Sequence, residues 1–251
     1  MRNYLAAECF KVFRRKYFYV TMAIFLALEG ILLWGYWRTY SWGNPQVSFY
    51  STSMIVALLL SFGMYATFGT GDMVFSDQYK HTTLKNEVSY GIPRVRIYLG
   101  KLLVSLLVAF VACAVLVGFY LAGCWLLFPH SGEDGQALAV VGYCLAGALP
   151  LWMAAQAVVL ACCFHVRSSA MAAFLGVAIL AVLPSVFQAF GILFHPIFET
   201  LRGFMPAVML EELRNRAFDG GYLARCWITG LVWFGAATGI GMGLFQKKEI
   251  R

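Results

Sequence analysis

Acidic residues are scarce in this chain: Asp and Glu together number 12 among 251 residues, and charged residues of both signs make up 12%. A soluble domain carries roughly 25% charged residues, so this chain cannot be folded with an ordinary water-facing surface. It also lacks a G-x-x-x-x-G-K-[ST] phosphate loop. The nearest dipeptide, Gly100-Lys101, has no first glycine and runs on into Leu102 within an apolar stretch. The chain is therefore not expected to hydrolyse ATP by itself, nor to be an enzyme. The cysteines contain no C-x-x-C pair and nearly all lie within or beside apolar runs, where cysteine behaves as a small apolar residue. No metal site and no resident cofactor are expected. Cys124 and Cys226 both fall near one predicted membrane face, which leaves a bridge between them open.

What the chain has in abundance is apolar length, at 61% hydrophobic residues. A helix needs about 20 apolar residues to cross the hydrocarbon core. Six runs qualify: 17–37, 52–75, 97–128, 137–164, 170–190 and 225–245. The third is long enough to tilt or to project beyond the bilayer. Residues 1–16 mix Tyr4, Leu5, Phe10, Val12 and Phe13 with Lys11, Arg14, Arg15 and Lys16, the pattern of a helix lying in the membrane interface. The run behind it contains Glu29 and ends in Trp34, Tyr36, Trp37, Tyr40 and Trp42 without a small-residue cleavage site. It reads as a span with an outer aromatic belt rather than a signal peptide.

With the N-terminus inside, every lysine and arginine falls in a cytoplasmic segment except Arg38, Arg202, Arg214, Arg216 and Arg225, which sets the orientation as both ends in. Basic loops facing anionic lipid account for the +7 charge without a nucleic-acid partner. Residues 191–224 are too polar to span yet keep Phe194, Ile197, Phe198, Met205 and Leu210. Pro196 and Pro206 suit helix starts and Gly220-Gly221 a stop, which predicts two short helices at the outer face. The expected fold is an all-α integral membrane protein in a single transmembrane domain, 1–251, with six transmembrane helices, an N-terminal interfacial helix and two short outer-face helices before the last span.

Polar residues inside such a fold are candidates for function. Glu29, deep in the first span, either lines a pathway or hydrogen-bonds a neighbouring helix. Asp72 and Lys101 lie at similar depth near the cytoplasmic ends of their spans and read as an ion pair. Gly235, Gly239 and Gly243 form a ridge without side chains where another helix, of this chain or a second copy, can approach. Glu211, Glu212 and Arg216 spell the first motif of intramembrane CAAX-type proteases, but all four histidines precede them along the chain, and the general acid/base partners are missing.

The loop 76–96 is the longest predicted cytoplasmic segment between spans. Within it, Thr82, Thr83, Asn86 and Ser89 are polar while Leu84 and Val88 stand four apart, one apolar edge on a short helix. Gly91 suits the positive φ that closes it, and Pro93 the first position of the next helix. This predicts a handle gripped from outside the membrane, with Leu84 and Val88 as its buried edge and Lys85 and Glu87 at its rim.

The motifs T-L-K-N-E at Thr83 to Glu87, S-Y-G-I-P-R at Ser89 to Arg94 and Y-L-G-K-L at Tyr98 to Leu102 resemble ABC transporter permeases of the drug and antibiotic efflux class. They are similar to the bacitracin and lantibiotic self-protection permeases of Gram-positive bacteria. Thr82 stands where that family usually has glycine. The resemblance implies a multi-pass permease of the bacterial cell membrane and a separate cytoplasmic ATPase subunit that binds ATP and Mg. That ATPase would receive Thr82 to Val88 as a coupling helix. It further implies a second permease subunit, as homodimer or heterodimer, and export of a peptide antibiotic, lipid-like or drug-like substrate. A secondary transporter built from inverted repeats is the alternative from another class.

Overall fold

The computed structural model describes residues 2–75, 83–166 and 168–248, and the regular structure there is helical. In order come α1 (Arg2–Phe13), α2 (Lys16–Ser41), α3 (Phe49–Ser53), α4 (Ile55–Phe75), α5 (Thr83–Ser89), α6 (Arg94–Leu127), α7 (Asp134–His165) and α8 (Ser169–Val177). A π turn (Ala178–Val182) leads into α9 (Leu183–Leu193), followed by α10 (Ile197–Arg202), α11 (Pro206–Glu212), a 3-10 turn (Leu213–Arg216) and α12 (Gly220–Lys247). Among the described residues, 6 helical segments are long and apolar enough to cross a membrane: Lys16–Ser41, Phe49–Phe75, Arg94–Leu127, Asp134–His165, Ala170–Leu193 and Gly220–Lys247. The chain is an all-α, multi-pass membrane protein. Its outward surface carries Phe25, Leu28, Ile31, Phe62, Phe110 and Ile240, and Trp34, Trp37, Tyr40 and Trp42 are exposed toward one end of α2, as a bilayer with aromatic interfaces requires.

Helix α7 is the centre of the bundle and packs most extensively on α12 and then on α4. Its buried face is made small by Ala148, Ala154, Ala155 and Ala157, which lets neighbouring backbones come close. One such approach is Gly230 of α12 against the Pro150 backbone, where a Cβ would stand 2.6 Å from the proline carbonyl carbon. Polar groups join α4 to α7 across the apolar layer. Thr70 donates to Gln156 Oε1 at 2.7 Å and Trp152 Nε1 to the Leu60 carbonyl at 3.1 Å. The π turn before α9 has a local cause: Pro184 has no N–H to give to the carbonyl four residues back, and the ladder widens so that the Leu183 N–H reaches the Ala178 carbonyl.

The two short helices before the last span differ. Helix α10 packs on α9 and buries no residue, whereas α11 buries Pro206, Ala207, Val208, Met209 and Leu210 among α7, α4 and α12. It is a plug in the end of the bundle, held where the Tyr222 hydroxyl donates to the Met209 carbonyl at 2.9 Å. Pro206 opens α11 as expected, and Pro196 caps α10 one residue before its first turn. Gly220 and Gly221 do not stop a helix. They form the first turn of α12, because Asp219 accepts the Tyr222 N–H at 3.0 Å as an N-cap. The break lies at Phe218, which takes a φ of 65°.

Cys124 and Cys226 are both buried free thiols, so no bridge joins them. The ridge of Gly235, Gly239 and Gly243 points away from the rest of the chain, with nothing within 4 Å of where a Cβ would sit on any of them. The glycines of α12 that pack within this chain are Gly230 and Gly241 instead.

Candidate functional site

The start of α1 and the end of α12 lie at the same end of the bundle as α5 and the start of α6: Tyr4 bonds Glu87, and Arg94 bonds the Phe245 and Lys248 carbonyls. Helix α5 closes at Gly91, whose φ is 81°. The Ile92 N–H reaches the Glu87 carbonyl at 3.3 Å and the Gly91 N–H the Val88 carbonyl at 3.0 Å, the paired bonds of a glycine-closed helix. Pro93 then caps α6, which begins at Arg94. Thr82 lies outside the described residues. The apolar edge of α5 exists, but it faces inward. Leu84 is 1% exposed and belongs to the main core with Phe75, Tyr98, Phe164 and Phe245, and Val88 and Ile92 pack against that core. This corrects the expectation that Leu84 and Val88 are offered to a partner: the membrane helices themselves cover them. The side of α5 left open carries Lys85, Asn86 and Ser89, followed by Tyr90, which is 86% exposed.

Beneath α5 lies a buried charge cluster. Lys101 of α6 is 0% exposed, and its Nζ stands 2.9 Å from Glu8 Oε2 of α1 and 3.5 Å from Glu87 Oε1 of α5. Lys11 closes the ring with ion pairs to Glu8 and, at 3.5 Å, to Glu87. The Tyr4 hydroxyl donates to Glu87 Oε2 at 3.0 Å. The Tyr4 ring packs against Gly100, where any Cβ would overlap it. Burial alone would push the Glu8 carboxyl up, but Lys101 and Lys11 outweigh it and hold the group below the usual carboxylate range. Burial, with Glu8 and Glu87 beside it, pushes the Tyr4 phenol up, so it stays a donor. Two lysines against two glutamates leave the cluster neutral.

Lys101 therefore has partners, but Asp72 is not among them. Asp72 accepts instead from the Tyr17 hydroxyl at 3.3 Å. From the sequence, Tyr4 is only one of the apolar residues of an interfacial helix, and Glu8 has no assigned role. The available signal was Glu8 itself, the one acid in a basic opening segment, 2% exposed in the fold.

Four helix ends converge beside this cluster through rings. Phe164 of α7 lies 4.7 Å from Phe75 of α4, 4.6 Å from Tyr98 of α6 and 4.6 Å from Phe245 of α12, centroid to centroid. Cations clamp the carbonyls exposed at the helix C-termini, where the backbone dipole favours them. Arg94 donates to the Phe245 carbonyl at 3.2 Å and the Lys248 carbonyl at 2.9 Å, and Lys248 Nζ to Phe164 and His165 at 2.9 and 3.0 Å. A displacement of α5 is thus felt directly by α1 and α6 through charge, and by α4, α7 and α12 through packing.

Elsewhere, Glu211 and Glu212 are exposed, and Glu212 pairs with Arg216 at 3.5 Å, the arrangement of a solvated helix end. Glu29 sits on the face of α2 turned toward α6.

Residues 4–185 match the family described as ABC-2 family transporter protein. With six spans and that match over most of its length, the chain belongs to the ABC-2 transporter family and is the membrane subunit of an ABC transporter. No curated protein matches it.

Proposed function

We propose that this chain is the permease subunit of an ATP-driven exporter. It moves a peptide antibiotic, lipid-like or drug-like substrate out of the membrane or cell, with both termini on the cytoplasmic side of a bacterial membrane. Power comes from a separate cytoplasmic ATPase that binds ATP and Mg and docks on the open side of α5. A second permease subunit, identical or related, packs along the free ridge of Gly235, Gly239 and Gly243. The observation that carries this reading is the position of α5, a short helix outside the spans, tied by Glu87 to Lys101, Lys11 and Tyr4 and by Leu84 to the core. A push on such a helix reaches the spans without first folding a loop. It also gives Lys101 an ordinary physical role, holding two carboxylates rather than a phosphate.

The docking face differs from the one the sequence suggested: Tyr90 is its aromatic anchor, with Lys85 and Asn86 beside it. Exposed aromatics at interface centres carry much of the binding energy, whereas rim charges tune approach. Tyr90→Ala should lower the amount of ATPase co-purified from native membranes by about tenfold, with unchanged thermal stability of the permease. Lys85→Ala should have a smaller effect that shrinks further at high salt. Full retention of the ATPase by Tyr90→Ala would remove this face as the docking site.

A further inference from the structure

The chain holds a second ionisable group in its apolar region that the coupling cluster does not use. Glu29 lies 13 residues beyond the start of α2, which at about 1.5 Å per residue places it near the helix centre, away from either headgroup layer. One of its carboxyl oxygens is covered by protein yet has no hydrogen-bond partner among the described residues, and no cation pairs with it there. It shares the inward stripe of α2 with Leu33 and Tyr36. Leu33 packs directly on Gly123 of α6, one turn beyond Tyr120 and its hydroxyl. That hydroxyl is itself committed to the Thr52 carbonyl at 3.2 Å, so it does not satisfy Glu29. Helix α2 packs chiefly on α6 and is the least buried of the 6 spans, so the seam containing Glu29 lies at the edge of the bundle, beside the lipid.

A carboxylate held at that depth without a partner is costly. Glu29 is half-buried at the edge of the bundle with the half-buried Tyr36 two turns along the same stripe, whereas the Tyr120 ring is enclosed. We propose that Glu29, with Tyr36, binds the cationic group of an amphipathic substrate, an ammonium, guanidinium or phosphonium carried on an apolar body, between α2 and α6. The carboxylate supplies the counter-charge and the Tyr36 ring the face that attracts a cation. The remainder of the substrate lies in the apolar surface of α2. This inference rests on the exporter reading and narrows its substrate class.

The test is equilibrium binding of labelled tetraphenylphosphonium to the full-length chain in phosphatidylcholine nanodiscs, without an ATPase. Wild-type protein should bind it saturably, and the uncharged analogue triphenylphosphine oxide should compete poorly. Glu29→Gln should weaken binding by about tenfold or more, and Glu29→Asp should keep most of it. Because Glu29 makes no bond among the described residues that the glutamine would lose, and an unpartnered carboxylate is costly there, the thermal midpoint of Glu29→Gln should be no lower than that of wild type. Absence of saturable binding, equal competition by the uncharged analogue, or equal affinity in Glu29→Gln would each overturn the proposal. The analogue arm uses wild-type protein only, so it stands even for a poorly folding variant. Since no ATPase is present, failure here leaves the exporter reading standing, and loss of ATPase docking leaves this site standing.

Discussion

Lys101→Met should be the most damaging single change in the chain, lowering stability by about 3–5 kcal/mol. The methionine fills the space, but Glu8 and Glu87 then face one another in a buried setting with only the half-exposed Lys11 between them. The loss should be read as a lower thermal midpoint in detergent and reduced recovery as a monodisperse peak. Adding Glu8→Gln to Lys101→Met should recover part of it, because the second change removes one of the stranded charges, with a coupling of about 1–3 kcal/mol. Strictly additive losses would show that the two side chains do not act as a pair. Asp72→Asn combined with Lys101→Met should be additive.

The same cluster sets a dependence on acid. The folded Glu8 carboxyl titrates below its ordinary range, so its contribution is fully present above the unfolded glutamate value of about 4.3. It is lost as the pH falls through the lower folded value. Glu8→Gln should flatten that part of the stability profile.

Leu84→Asp should come second in severity, and through folding. Leu84 is fully enclosed by the core that joins α5 to the ends of α4, α6, α7 and α12. An aspartate there places a carboxylate in a fully buried apolar position, at a cost of several kcal/mol, on the order of the largest single-site losses. The variant should lose its thermal midpoint and its ATPase together. Tyr90→Ala should lose the ATPase alone. If Leu84→Asp folded as well as wild type while releasing the ATPase, Leu84 would be a docking residue and the inward packing of α5 would be wrong.

The spans and the short helix after the fourth element were legible because apolar length and a closing glycine are local signals. The hydropathy runs predicted the crossing helices to within a few residues except at Gly220, where a glycine pair usually associated with endings was recruited into a first turn by Asp219. Amphipathicity was legible in α5 as well, but its direction was not. Leu84 and Val88 four apart define an edge, and only the tertiary fold decides whether that edge meets the chain's own spans or a partner. Lys101 was recognisable as a charge too deep to stand alone. Its partners are not legible from depth along the spans, because Glu8 lies on α1 and Glu87 on α5, both outside them. For α11, proline marked the start, but nothing in its short apolar run distinguished a surface helix from a plug.

The proposed docking of an ATPase on the open side of α5 can be tested by crosslinking. The direct measurement places a photo-crosslinking amino acid at Asn86, which is exposed and makes no side-chain bond to the cluster. It is irradiated in native membranes, and the adducts are identified by mass. The account predicts one dominant adduct with a nucleotide-binding subunit, abolished by Tyr90→Ala and absent for the same probe at Glu133 on the opposite end. An adduct with the ATPase from Glu133, or none from Asn86 while the ATPase still co-purifies, would contradict it.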